Sequence, residues 1–276
     1  MGIRINTNIA SINTRRHLYN ATLSYNKSME KLSSGLRINR AADDAAGLAI
    51  SEGLKSDIRA LEQAGRNGGD GISMVQVAEG ALDEVSNILL RLRELTEQSL
   101  NGTLSDTERV YLDDEFQSLI GEIDRIAQST EFNGQSLLDG SGGAVAIQVG
   151  ISTNAWDSIA VDLSQNRDSA NLGFTGVDIT DAVNSAAAMT AVLGAVDTVS
   201  SARSDFGAIQ NRLETSIRNI NNQAENLSAA NSRIRDVDVA HETSVMTSSQ
   251  ILQQAGISIL AQANMTTGLA MSLLGG

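Results

Sequence analysis

Cysteine and proline are absent from the 276 residues, and aromatics make up 3% of them. Without thiols, disulfide frameworks, thiol nucleophiles and Cys-ligated zinc or iron-sulfur sites are excluded. Average usage would place roughly 14 prolines in such a chain, and their absence lets helices run on unbroken. One Trp, three Tyr and four Phe supply few of the bulky rings that usually fill a compact interior. With only His17 and His241, distant in sequence, no imidazole metal cage or catalytic pair is expected, and no cofactor. Basic residues are also scarce. Twenty Lys and Arg face 33 Asp and Glu, a net charge of −13 with a pI near 4.5, so polyanions are repelled and a nucleic-acid partner is not expected. No stretch reaches 18 consecutive apolar residues, the length a membrane-spanning helix needs. The opening Met1-Gly2-Ile3-Arg4-Ile5-Asn6-Thr7-Asn8 lacks the apolar core of a secretory signal, so export would take another route.

From Thr243 to Gly276 there is no Asp, Glu, Lys or Arg in 34 residues. A surface helix of a monomer carries charge opposite its apolar stripe. Here that side holds only amides and hydroxyls, while Val245, Ile251, Leu252, Ile259, Leu260, Leu269, Met271, Leu273 and Leu274 make the segment too apolar for a disordered tail. A helix buried by neighbours is expected. At the other end Ile5, Ile9, Ile12, Tyr19 and Leu23 recur at the spacing of one helical face, with Arg15, Arg16, Lys27 and Lys31 marking the wetter side. The two ends read as a helix pair whose cores are incomplete, loose in the monomer and ordered on assembly.

Between them, Ser33-Ser34-Gly35 and Ala41-Ala42-Asp43-Asp44-Ala45-Ala46-Gly47 read as a break and connector. A long helix is predicted from about Ser56 to Gln98, with Ile72, Val75, Ala78, Leu82, Val85, Leu89, Leu92 and Leu95 as its buried stripe. The cluster Asn67-Gly68-Gly69-Asp70-Gly71 lacks the preceding strand and the Lys-Ser/Thr ending of a phosphate loop, so a kink or close helix contact is expected. Asn101-Gly102 closes this helix, and Ser105-Asp106-Thr107-Glu108 opens another, to about Gln128, with a capping box. From Asn133 to about Thr180 the helical period lapses, and Ala146–Val149 and Ile159–Leu163 read as short strands in an exposed β excursion. Val192, Val199, Phe206, Leu213, Ile220, Leu227 and Ile234 then recur at every seventh position, with a broken second seam at Val196, Ile217 and Ala224. Such a run implies coiled-coil-like packing over roughly 65 Å. The fold class is mainly α, an elongated antiparallel helical bundle or coiled-coil rod with a small β excursion.

Several segments together resemble bacterial flagellin. At the front these are Ile5–Asn8, Leu32-Ser33-Ser34-Gly35-Leu36-Arg37-Ile38-Asn39, Ala41–Gly47, Arg91-Leu92-Arg93-Glu94-Leu95 and Glu131-Phe132-Asn133-Gly134. At the back they are Ser232-Arg233-Ile234-Arg235-Asp236-Val237-Asp238, Gln250–Gly256 and Leu260-Ala261-Gln262-Ala263-Asn264. The resemblance implies a filament subunit that is not an enzyme. Its terminal domain D0 would comprise residues 1–34 and 236–276, a spoke 35–55, and an outer domain D1 56–235 with a β region near 133–180. It further implies export through the flagellar type III channel and an extracellular location in the filament. The implied partners are other copies, an export chaperone, and cap and junction proteins. Subunit packing is expected at Ile5, Ile9, Ile12, Leu252, Ile259, Leu260 and Leu273. A Toll-like host receptor would meet Arg91, Leu95 and Glu115, with Leu90 where a recognised flagellin commonly has Gln.

His17 and His241 read as polar-face residues, and Asp236 and Asp238 as helix caps before metal ligands. The rivals are a hook-filament junction protein and a membrane-surface amphipathic-helix protein. The latter would carry Lys or Arg beside its apolar face, and the C-terminal segment carries none.

Overall fold

With no proline to interrupt them, two helices exceed fifty residues. A computed structural model describes the backbone of residues 7–274 and the side chains of residues 7–265. The elements in order are α1 (Ile9–Ser34), α2 (Ala45–Ser99), α3 (Asp106–Ser129), β1 (Glu131–Phe132), β2 (Gln135–Ser136), β3 (Gly143–Gln148), β4 (Ser158–Leu163), α4 (Ala182–Arg235) and α5 (Val239–Leu274). The mainly α reading with a small β excursion holds. By contact the chain divides into two compact units, residues 1–56 with 226–276, and residues 57–225.

In the second unit the buried side of α2 is a heptad seam that starts well before the predicted stripe. Leu61, Ala64, Val75, Ala78, Leu82, Val85, Leu89 and Leu92 are all buried, whereas Ile72 is half-buried. The glycine cluster does not break the helix. A side chain on Gly68 would meet Ile217 of α4 at 2.9 Å, and one on Gly71 would collide with Ile147 of β3, so these glycines allow close approach. On α4, Val192, Val199, Phe206, Leu213 and Ile220 are buried, as the heptad spacing predicts. The second seam is Ala188, Ala195 and Ala202 rather than one through Val196. Alanine at every second seam position brings helix backbones close. The two helices run antiparallel: Gly65 lies near Ile220, Asp83 pairs with Arg203 at 2.9 Å, and Ser99 Oγ meets Ser185 Oγ at 2.8 Å.

Helix α3 begins with the predicted capping box, in which Ser105 N donates to Glu108 Oε2 at 2.8 Å and Glu108 N to Ser105 Oγ at 3.4 Å. One turn in, the buried Arg109 reaches back to α2, donating to Ser99 O at 2.9 Å and Asn101 O at 3.3 Å while Asp106 accepts its third bond at 2.9 Å. It thereby satisfies carbonyls left over at the end of α2. Arg109→Ala is expected to cost about 2–3 kcal/mol by orphaning them, read as a lower urea midpoint at unchanged slope. Arg109→Lys would not restore the loss, since an ammonium lacks the guanidinium's fork.

Beyond α3, strands β3 and β4 form an antiparallel hairpin with Val145 opposite Val161 and Ile147 opposite Ile159. Both predicted strands are present. The excursion is not merely an exposed face, because Leu137, Leu138, Leu172, Phe174 and Ile179 are buried. Phe174 meets Phe116 of α3 edge to face, centroids 6.4 Å apart. Asp181 caps α4, accepting from Val183 N and Asn184 N, both at 2.8 Å.

In the first unit, Gly35 ends α1 in the left-handed region at φ 72°, as glycine permits. The next residues lie against the end of α4: Arg37 N donates to Arg235 O at 2.6 Å and Val237 N to Gly35 O at 3.0 Å. Helix α2 is already helical at Ala45, ahead of the predicted start near Ser56. Asp44 Oδ1 accepts from Gly47 N at 2.8 Å there. Asp43 bridges to Lys27 at 2.8 Å. Asp238 Oδ1 accepts from His241 N at 3.1 Å, a capping bond at the start of α5.

Candidate functional site: the outward faces of the terminal helices

Helices α1 and α5 pair antiparallel, with Asn8 near Ala263, Leu18 near Gly256, Thr22 near Gln253 and Lys31 near Glu242. The predicted pairing of the chain ends is present, but through a different face. On α1 the buried and half-buried positions are Ser11, Thr14, Leu18, Ala21, Tyr25, Ser28 and Leu32, flanked by Thr22 and Lys31, and on α5 they are Glu242, Met246, Ser249, Gln253, Gly256, Leu260 and Ala263. Both sets follow the heptad spacing of an antiparallel pair. They are mostly small or polar.

The apolar stripes point away. Ile9, Ile12, Leu252 and Ile259 are 63%, 58%, 62% and 57% exposed, and Tyr19, Leu23, Ile251 and Ile257 are exposed with them. Leu260, expected on the same surface, is half-buried. Ile5 and Leu273 lie outside the residues whose side chains are described. Single exposed apolar residues are ordinary, but stripes along two helices are an unfilled contact surface. Between the helices runs a groove of about 540 Å³, lined by His17, Leu18, Leu252, Gly256 and Ile259 among others.

One charged contact sits inside the pair. Lys31, expected on the wetter side, is half-buried and donates to Glu242 Oε2 at 3.3 Å. The Ser28 hydroxyl, and after it Lys31, hold the Glu242 carboxyl below its usual range against the opposing effect of burial. Asp43 is lowered by Lys27 and then by the Arg40 amide. A carboxylate with a depressed folded pKa stabilises fully above its unfolded value, about 4.3 for Glu, and the contribution is lost as pH falls through the folded value. Acidification below about pH 4 is therefore expected to weaken the α1·α5 pair. Glu242→Gln should flatten that part of an acid titration followed by far-UV circular dichroism, at a cost near neutrality of about 1–3 kcal/mol. Unchanged acid sensitivity in the variant would contradict this.

Elsewhere, Arg91 on α2 bridges to Glu115 on α3 at 2.8 Å and to Glu94 at 2.9 Å, all partly exposed. Leu90 is exposed beside them, but Leu95 is fully buried in the seam, so the accessible part of this face is Arg91 with its acidic partners. Sequence reasoning missed the Ser99–Ser185 hydroxyl contact, buried together with Ile179 O at 2.7 Å. Both serines occupy seam positions, which was the available signal.

The family description for the bacterial flagellin N-terminal helical region matches residues 5–143, and that for the C-terminal helical region matches residues 189–274. The chain belongs to the bacterial flagellin family. A flagellin of Halalkalibacterium halodurans is 49% identical over 271 residues, covering 98% of this chain and 99% of that one. A flagellar filament 33 kDa core protein of Treponema phagedenis is 43% identical over 98% of this chain and 99% of its own length. The crystal structure of Bacillus cereus flagellin aligns with a TM-score of 0.50 at 33% identity, covering 60% of this chain and 94% of that one. Membership makes this flagellin-family chain a structural subunit of the flagellar filament, which polymerises with its own kind and is not an enzyme. The junction-protein and membrane-surface alternatives are not favoured.

Proposed function

We propose that the outward stripes of α1 and α5 are the surfaces through which filament subunits pack, with Ile9, Ile12, Leu252 and Ile259 as their apolar contacts and Ile5, Leu260 and Leu273 as further subunit-packing residues. One observation carries this reading: the terminal helices pair mostly through small and polar residues and leave Ile9, Ile12, Tyr19, Leu23, Ile251, Leu252, Ile257 and Ile259 outside. Copies related by a helical operator make heterologous contacts that never close, and burial between them supplies what each α1·α5 pair lacks. In this reading residues 1–34 and 236–276 form the D0 domain, 35–55 the spoke and 56–235 the D1 domain.

Export is assigned to the flagellar type III channel, ending in the extracellular filament, with a chaperone, a cap and junction proteins as transient partners. A chain that travels unfolded benefits from having no Cys to cross-link and no Pro to isomerise over tens of seconds. Arg91 and Glu115 supply a face for a Toll-like host receptor. Reporter cells should respond less to Arg91→Ala and Glu115→Ala subunits of unchanged fold, and an equal response would remove that assignment. For the assembly itself, purified protein added to filament fragments should extend them under electron microscopy. Subunits that stay solitary at high concentration, seeded or not, would overturn the reading.

A further inference from the structure

Three Asn-Gly steps occur in the chain, at Asn67-Gly68, Asn101-Gly102 and Asn133-Gly134, and the fold places each in a different setting. Asn67 lies inside α2, where the Gly68 amide belongs to the helical ladder. Its side chain is held at both ends, accepting from Gln63 Nε2 at 2.9 Å and donating to Gln148 O at 3.2 Å. Asn133 and Gly134 form the two-residue turn between β1 and β2, with φ of 51° and 75°. Leaving that conformation would open the hairpin. Asn101 and Gly102 are exposed in the loop between α2 and α3, outside both helices. There Thr103 N donates to Asn101 Oδ1 at 3.2 Å.

We infer that Asn101 is a built-in site of spontaneous deamidation, selected among the three by its loop geometry. The Thr103 bond closes an Asx-turn that spans the Gly102 peptide. It also puts an N–H donor on the oxygen that becomes negative in the tetrahedral intermediate. The Gly102 nitrogen gives its proton to hydroxide and attacks Cγ, and the new C–N bond closes a succinimide. The side-chain nitrogen takes up a proton and leaves as ammonia. Water then adds to one of the two ring carbonyls and breaks its bond to nitrogen. Attack at Cγ returns an aspartyl residue; attack at the main-chain carbonyl gives isoaspartyl. The net change is one amide and one water converted to one carboxylic acid and one ammonia, with no redox step. Glycine at position 102 has no side chain to obstruct the attack.

The product is not silent in this place. The main-chain Asn101 O accepts from Arg109 Nη2 at 3.3 Å, so in the isoaspartyl product the carbonyl held by the buried guanidinium that braces the α2–α3 turn becomes a free carboxylate. The isoaspartyl form also inserts a methylene into the main chain at that brace.

The test incubates the intact folded protein in mildly alkaline buffer and follows each of the three Asn-Gly peptides by mass spectrometry, with isoaspartyl content read by protein isoaspartyl methyltransferase. Asn101 should convert about tenfold faster than Asn67 or Asn133 in the folded chain, and the three rates should converge in urea. Gly102→Ala should slow conversion at Asn101 by a similar factor; a side chain there meets nothing within 4 Å, so the fold is retained. Equal rates at the three sites in the folded chain would overturn the proposal, as would conversion at Asn101 undiminished by Gly102→Ala.

Discussion

Changing Leu252 and Ile259 together to aspartate is expected to abolish filament growth while leaving the helical content of the isolated subunit unaltered. Both side chains are more than half exposed on α5, so in the single molecule the substitutions remove little packing and surface changes of this kind stay within about 0.5 kcal/mol. In the assembled state each Leu or Ile that becomes covered contributes about 1.5–3 kcal/mol. A carboxylate carried into the same contact finds no cation on α5, because residues 243–276 contain none, and an uncompensated buried charge costs about 3–5 kcal/mol. Each 1.4 kcal/mol is about tenfold in association, so the double variant should raise the concentration needed for growth by at least about a thousandfold. Sedimentation and electron microscopy of seeded mixtures read the outcome. The milder Leu252→Ala and Ile259→Ala variants should fall between. Normal filaments from the double aspartate variant would mean that subunits pack through other faces.

The second large effect is on the stability of the unit formed by residues 57–225. Phe116→Ala should cost about 3–5 kcal/mol. Phe116 is fully buried, and its ring meets Phe174 at an interplanar angle of 77°, the only aromatic pair among the described residues. That contact anchors the otherwise irregular segment before α4 to α3, so its loss leaves a cavity and frees the excursion. A fall in melting temperature of roughly 10 °C is expected from a change of this size in a domain of such length. Trp156, 80% exposed after β3, provides the contrast: Trp156→Ala should shift stability by less than about 0.5 kcal/mol. Equal effects from the two would show that burial in this unit is not where the structure puts it.

Much of this architecture was legible in the residues themselves. Absence of proline permitted the long helices, Ser105 and Glu108 marked the start of α3, Gly35 marked the end of α1, and the sevenfold recurrence through Phe206 and Leu213 identified the buried side of α4. These are local rules, satisfied by residues within a few turns of one another. Belonging to a filament-forming family was likewise readable from the two chain ends.

Which way the terminal stripes face was decided only in three dimensions. Helix α1 carries two sets at helical spacing, Ile9, Ile12, Tyr19 and Leu23 on one side and Ser11, Thr14, Leu18, Ala21, Tyr25 and Ser28 on another. Periodicity accepts both, and hydropathy ranks the first as the buried one. The partner helix instead presents Ser249, Gly256 and Ala263, small residues that let the backbones close on the second set. The same limit applies to Gly68 and Gly71, whose close approach to Ile217 and Ile147 depends on residues far along the chain, whereas the burial of Leu95 was already legible in the periodic stripe of α2. A sequence states what a face would gain from being covered; only the packed helices state what lies opposite it.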